Sequence, residues 1–429
     1  MSRELPILAV VYDDGAASPG DIAVGLADLA RPVFLTADTP HVTRLRPVME
    51  SLGDCLPLTG SPEGDAALIR GLAPAAVVTY SERMLRTTAD LARAAGLPFH
   101  TPETARILTD KVRQRELLRE AGVDDVRTHP LRTPEDWPAA LAAVGLPAII
   151  KPVRGAASRN THQVSDEAEA LRLLPEIFAA MGGPAGDEPL LIVEELLQGR
   201  PLRPFGDYVS VESMCGPHGI AHLALSGKFP LLPPFREAGR FWPSQLPAAE
   251  QEEILELTTR ALKALGVELG LTHTELKLTA DGPRIIEVNG RLGGHVNGLS
   301  RTACGVDLVR VAALLALGRP VEPVRLRPDK VHFQYHGLAP TEPCRLAAIE
   351  GTPQVRQLPG VDGYRNFVRV GDDLPGGVLT HEMDVIWGQC DDHTTMIELL
   401  DTALTTLTYT FDTGGTPHRT TAAALRDDA

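Results

Sequence analysis

Over the first hundred residues, short and uniformly apolar runs alternate with stretches of helical period. Residues 7–11, 32–35 and 75–79 read as buried strands with helical segments between them. That alternation predicts an α/β unit, a parallel sheet covered by helices. The pattern then changes. Two helices are expected from 101 to 121, the first opened by the cap pair Thr101-Pro102 and the second stopped by Gly122. From about 125 to 200 a smaller α+β module follows. Its strand 147–150 runs into Lys151-Pro152 and a small-residue loop, 153–161. An amphipathic helix (165–181), a Gly/Pro-rich segment and an apolar strand ending in Glu194-Glu195 complete it. Strands at 207–212 and 221–226, a loop rich in Pro and aromatics (227–244) and a helix at 248–266 come next. Residues 272–291 alternate strictly around Ala280-Asp281-Gly282-Pro283, which reads as a β-hairpin. A helix at 305–317 follows. Short strands with frequent Gly and Pro begin near 321 and lead to a helix at 394–407, and the segment 413–429 is expected to fray.

The hairpin carries the densest chemistry, and its register decides what that chemistry is. His273, Glu275 and Lys277 fall on one face of the first strand; Ile285, Glu287, Asn289 and Arg291 share one face of the second. A two-residue Asp281-Gly282 turn would set Glu275 opposite Val288 and put the acids on opposite faces. A loop of odd length would gather Glu275, Glu287 and Asn289, an oxygen donor set suited to Mg²⁺. The alternative is a solvated hairpin face on which acids and a lysine are ordinary.

Composition narrows the rest. A net charge of −15 argues against a generic nucleic-acid surface, so any bound phosphate must meet a local basic cluster. Five scattered cysteines without metal-ligand spacing predict a reduced, cytoplasmic protein with no disulfide framework. No apolar run is long enough to span a membrane, and the N-terminus carries no apolar signal core. There are six lysines against 35 arginines, which singles out Lys111, Lys151, Lys228, Lys277 and Lys330 as positions where a compact ammonium is expected, while Lys263, in an ordinary amphipathic helix, is assigned to solvent. There is no GxGxxG after the first strand. Ser81-Glu82 does follow a strand end, where sheets of this kind place ligand contacts.

Lys111, Lys151 with its small-residue loop, Glu194-Glu195, Glu275 and the element Glu287-Val288-Asn289-Gly290-Arg291 occur in an order that resembles the ATP-grasp superfamily. The phrases THTELKL, IIEVNGRLGGH and DYVSVES are most similar to those of L-amino acid ligases, the carboxylate–amine ligases that make dipeptides. The resemblance implies a multidomain protein of α/β and α+β parts. An N-terminal Rossmann-like pre-ATP-grasp domain (1–100) would precede an ATP-grasp region (101–320) with a lid at about 125–200 and a catalytic core at about 201–320. A separate C-terminal α+β segment (321–412) would follow. ATP and Mg²⁺ (or Mn²⁺) are the implied cofactors. Lys111 and Lys151 would meet the phosphates, with Ser158 and Asn160 in a mobile loop above them. Glu194, Glu195 and Leu197 would border adenine, and Asp207 the ribose. Glu275, Glu287 and Asn289 would hold metal, and Arg291 the migrating phosphoryl group, with Lys151 as the second catalytic cation. The candidate substrate contacts are Glu82, Glu212, Lys228, Trp242, Gly293, Gly294 and His295. The aromatics Phe229, Phe235, Phe241 and Trp242 either shape an acceptor pocket or pack the core.

The implied reaction activates a small-molecule carboxylate as an acyl phosphate, which an amine then attacks to give an amide, ADP and phosphate. The resemblance also implies a homodimer, with no nucleic-acid or membrane partner. A carboxylase subunit like biotin carboxylase and a non-catalytic nucleotide sensor are the alternatives.

Overall fold

A computed structural model describes residues 5–155, 160–181, 189–322, 325–377 and 379–427. The apolar N-terminal runs form a parallel sheet of Ile7–Tyr12 (β1), Arg31–Thr36 (β2), Asp54–Pro57 (β3) and Ala76–Val78 (β4), in the order β3-β2-β1-β4. The strand β3 is only partly buried and carries no alternation, so the patterning passed over it. Its helices start where short polar side chains meet proline: Ser18, Thr39 and Ser61 each accept a backbone N–H one turn on, and Pro19, Pro40 and Pro62 follow them. The order reverses between β1 and β4, so a crevice opens at their C-terminal ends, where Glu82 begins a short 3₁₀ turn.

A second four-stranded sheet, antiparallel, comprises Thr128–Leu131 (β5), Ala148–Pro152 (β6), His162–Val164 (β7) and Leu191–Glu195 (β8), ordered β5-β8-β6-β7. The core beneath it, including Trp137, Ile150, Phe178 and Val193, is built wholly from residues of this unit.

The central strands are Tyr208–Gly216 (β9), Gly219–Lys228 (β10), Gly239–Trp242 (β11), Gly270–Thr279 (β12) and Gly282–Asn289 (β13). Beyond them come Val331–Leu338 (β14), Cys344–Glu350 (β15), Val361–Asn366 (β16), Asp373–Leu374 (β17), Glu382–Cys390 (β18), Thr408–Thr413 (β19) and Thr416–Thr421 (β20). The C-terminal segment does not stand apart, as the sequence suggested. β14, β18 and β16 extend the central strands into one eight-stranded sheet, β13-β12-β9-β10-β11-β14-β18-β16, while β17-β15-β19-β20 forms a sheet of its own. Nor do the described residues after 413 fray. β20 pairs along β19, and the helix Ala422–Asp427 docks with Ala422 buried and its N–H donating to the Leu407 carbonyl.

The helix expected at 305–317 is Leu308–Ala316, and a second helix that the patterning passed over, Val296–Cys304, precedes it. They join the N-terminal sheet to the central one through a shared core in which Leu8, Ile22 and Phe34 pack with Val296, Leu299 and Val309, and the Tyr80 hydroxyl donates to the Val309 carbonyl at 3.0 Å. Among the described residues no helix is long and apolar enough to cross a membrane.

Candidate active site

The hairpin brings its acids together by a route that the turn alone does not supply. β12 and β13 are closed by a two-residue loop, Ala280-Asp281, with Thr279 opposite Gly282, so the expectation of an odd-length loop is wrong. Continued without interruption, that register would oppose Glu275 to Ile286. Instead Leu276 faces Ile285 while Glu275 faces Glu287, leaving Ile286 as an extra, bulged residue. The bulge also moves Ile285 to the core face, where it is fully buried with Leu276 and Val288, rather than beside Glu287 and Asn289.

The bulge is held from outside the hairpin. Arg115, on the helix Lys111–Glu120, donates to the carbonyls of Ile285 (2.7 Å) and Ile286 (2.9 Å). Asp124 accepts from the Ile285 N–H at 2.6 Å, and the Gln114 amide both donates to and accepts from the Val288 backbone. These satisfy the backbone groups that a bulge takes out of the ladder.

Around this frame each lysine meets an acid. Lys111 begins its helix just after the Asp110 cap and places Nζ 2.8 Å from Glu287, also donating to the Gly155 carbonyl at 3.2 Å. Lys151, at the end of β6, lies 2.7 Å from Glu194. Glu194 already accepts two bonds from the guanidinium of Arg115 (2.8 and 2.9 Å). Burial pushes this carboxyl upward, but Arg115 and Lys151 override it and hold it at about 2. Two cations on one carboxylate leave positive charge in excess. Burial, with Arg115 and Lys111 nearby, in turn lowers Lys151 from its ordinary value despite Glu194.

On the same face of the sheet, His273 bridges two acids, Glu212 through Nδ1 (2.5 Å) and Glu275 through Nε2 (3.2 Å). Burial lowers the imidazole, the two carboxylates raise it, and the carboxylates win; Glu275 is correspondingly held at about 2. Gly293 lies flat against this ring, since a Cβ there would sit 2.4 Å from His273 Nδ1, and its N–H reaches Glu212 at 3.3 Å. Further along, Glu237 accepts from Lys228 (2.7 Å) and Arg240 (2.5 Å), which keep it below the usual carboxylate range in spite of its burial. Lys277 donates to Asp207 at 2.7 Å.

Arg291 follows β13 and spreads its donors over Asn289 Oδ1 (3.1 Å) and the Leu292 carbonyl (3.0 Å), while its Nε lies 3.2 Å from Glu82. Neither Glu82 oxygen has a hydrogen-bond partner, although both are buried. Burial pushes this carboxyl up to about 7, with Glu287 adding to the rise and Arg291 opposing it.

The candidate residues therefore divide. Lys111, Lys151, Glu194, Glu275, Glu287, Asn289, Arg291 and Glu82 converge through the contacts above, with Glu212 behind His273. Glu195 faces away, its carboxylate held by Arg127 N–H and Nε (both 2.9 Å), and Leu197 lies just past the end of β8. Asn160 is left-handed (φ 52°), a conformation asparagine tolerates, whereas Ser158 lies outside the described residues. Trp242 shapes no acceptor pocket: it is 1% exposed, packs in the core and donates to Ser226, and Phe229 and Phe241 are core residues as well. Lys228 has no exposed surface and is spent on Glu237. Gly293 offers its amide to a protein carboxylate, Gly294 is half-buried, and His295 turns toward Glu382 (2.9 Å).

Sequence reasoning missed Arg115, Gln114, His273, Glu237 and Arg240. His273 was readable, because it shares the Glu275 face; Arg115 was hidden among 35 arginines.

Residues 144–298 match the ATP-grasp domain family. The architecture agrees: the chain superposes on an L-amino acid ligase from Bacillus licheniformis with a TM-score of 0.76, covering 95% of this chain and 98% of that one. At 21% identity this is a likeness of fold. By sequence the chain is 27% identical over 329 residues to alanine–anticapsin ligase of Bacillus subtilis, covering 72% of this chain and 66% of the relative. It is 30% identical over 278 residues to carnosine synthase 1 of Gallus gallus, covering 58% of this chain and 28% of the relative. The matched region thus spans less than two thirds of the length of these curated relatives.

Proposed function

We propose that this protein is an ATP-dependent carboxylate–amine ligase that joins an amino acid, or a similar carboxylate, to an amine. A carboxylate oxygen attacks the γ-phosphorus of ATP, the bond to the β–γ bridging oxygen breaks, and ADP leaves. The amine nitrogen then attacks the acyl phosphate carbon, the amide forms, phosphate leaves with the C–O bonding pair, and the amine sheds a proton. The observation that carries the reading is the bulged register that opposes Glu275 to Glu287, with Asn289 and Arg291 alongside and Lys111 across the gap. The likeness to alanine–anticapsin ligase supports the same class.

Each group suits a role. The oxygen donors Glu275, Glu287 and Asn289 fit Mg²⁺, which when bound offsets triphosphate charge. Lys111 and Lys151, now on carboxylates, are placed to change partners to phosphate oxygens, and Lys151 shares its acid with Arg115. Arg291 has its donors on neutral oxygens and one poorly matched acid, so it is free to turn to the transferring phosphoryl group. The unit of β5 to β8, with a core of its own, suits a lid that moves as a body and keeps water from the acyl phosphate. ATP-fuelled chemistry and five free thiols suit the cytoplasm.

The test is ADP release against a panel of amino acids, with and without bicarbonate, with products identified by mass spectrometry. Amino-acid-dependent ADP and a condensed product are expected. Bicarbonate-dependent ADP without a condensed product would instead favour a carboxylase, and no ADP release under any condition would favour a sensor.

A further inference from the structure

Some way along the same sheet, three side chains meet that the ligase reading does not use. His295 caps the helix Val296–Cys304, held left-handed (φ 58°), a conformation uncommon for a residue with a side chain. His336 lies in β14 and Glu382 opens β18, where the β14–β18 ladder slips by a residue between Gly337 and Leu338. His295 Nε2 is 2.9 Å from one Glu382 oxygen and His336 Nδ1 is 3.2 Å from the other; one donor atom from each residue lies within 4.8 Å of the rest. His336 is 2% exposed, yet neither of its ring nitrogens has a hydrogen bond, the Glu382 contact being poorly aligned for one. A buried imidazole in that condition lacks a partner. The ring of Phe367 stacks on His336 (10° between planes) and lies 6.1 Å from the His295 ring, walling one side with carbon.

We propose that His295, His336 and Glu382 form a binding site for one divalent transition-metal ion of the zinc type, separate from the magnesium donors of the hairpin. Two imidazole nitrogens and one carboxylate are the donor set of zinc and its neighbours, whereas magnesium takes oxygen ligands. Ligands about 2 Å from a tetrahedral zinc stand about 3.3 Å from one another, close to the spacing already present here.

Three protein ligands leave a tetrahedral ion one open position. His295 and Glu382 keep 34% and 24% of their side-chain surface, so that position is reachable from solvent. The open position suits a water or an amino or carboxylate group of a small ligand. The ion would also tie the loop after β13 to the C-terminal strands β14 and β18.

The full chain, stripped with chelator and held in excess Mg²⁺ to occupy the hairpin donors, is titrated with Co²⁺ and then Zn²⁺. Uptake is read by cobalt d–d absorption, bound-metal analysis and the shift in melting temperature. One equivalent of Co²⁺ displaced by Zn²⁺ is expected, with affinity lowered about a hundredfold or more in both His336→Ala and the more exposed His295→Ala. Glu287→Ala should bind the ion as the parent does. Absence of stoichiometric uptake, uptake unchanged in both histidine variants, or uptake lost in Glu287→Ala would overturn the site. If His336→Ala fails to fold, His295→Ala alone decides.

Discussion

Glu194 and Glu82 are both buried carboxylates beside arginines, and they titrate in opposite directions. At the end of β8, Arg115 presents its fork to both oxygens of Glu194 and Lys151 adds a third donor, so the charge is held at about 2. At the end of β4, Glu82 has only the Nε edge of Arg291 at 3.2 Å, no hydrogen bond, and Glu287 adding repulsion, so it rises to about 7. Burial is similar; geometry differs. A guanidinium aligned with a carboxylate makes a structural clamp, whereas one whose donors point elsewhere is left able to accept another anion. The Glu194 end thus reads as scaffold and the Arg291 end as the working part of the cleft.

Substitutions at the two ends should separate these roles. Replacing Glu287 at the working end by Ala should lower turnover by at least a thousandfold, about 4 kcal/mol of barrier, while urea unfolding shifts by less than about 1 kcal/mol. Undiminished ADP release would break the assignment of the hairpin. At the scaffold end, Arg115→Met leaves Glu194 buried with Lys151 alone and removes both donors to the bulge. It should cost about 3–5 kcal/mol in urea unfolding; a loss under about 1 kcal/mol would show that the clamp is not structural.

The pH dependence sharpens the contrast. Glu82 binds its proton more tightly folded than unfolded, so its contribution is present below about pH 4.5 and is lost as pH rises through about 7. Glu82→Gln removes that loss. Relative to the variant, the parent should lose up to about 3 kcal/mol between pH 5 and pH 8, read from urea unfolding at each pH. Parallel profiles would sink the Glu82 reading. Glu194 has the reverse sign: its contribution is present above about 4.5 and is lost as pH falls toward about 2, so Glu194→Gln should flatten the acid limb of the same curve. The smallest effect belongs to an ordinary surface pair, Arg93–Asp90, with side chains 71% and 53% exposed. Arg93→Ala should change stability by less than about 0.5 kcal/mol.

Much of this was legible in the chain itself. The alternation of β12 and β13, the scarcity of lysine and the strand end at Glu194 together pointed to the cleft, because strand period and residue type are local properties. The aromatics of 229–242 were not legible. An aromatic run fits a pocket and a core equally well, and only packing decided that Phe229, Phe241 and Trp242 are core. The ordered C-terminus was also hidden, since β20 is polar and exposed and is held by pairing with β19 rather than by burial.

The sequence by itself determined which side chains were available to meet: two acids and an amide on neighbouring strands, with lysines rare enough to be noticed. It did not determine that they meet. The two-residue Ala280-Asp281 turn would have carried Glu275 past Glu287, and one bulged residue, Ile286, restores the pair. That bulge persists because Arg115, Gln114 and Asp124, more than 150 residues away along the chain, bind the backbone it frees. A register is a property of two strands and of whatever holds them, and no pattern within either strand encodes it.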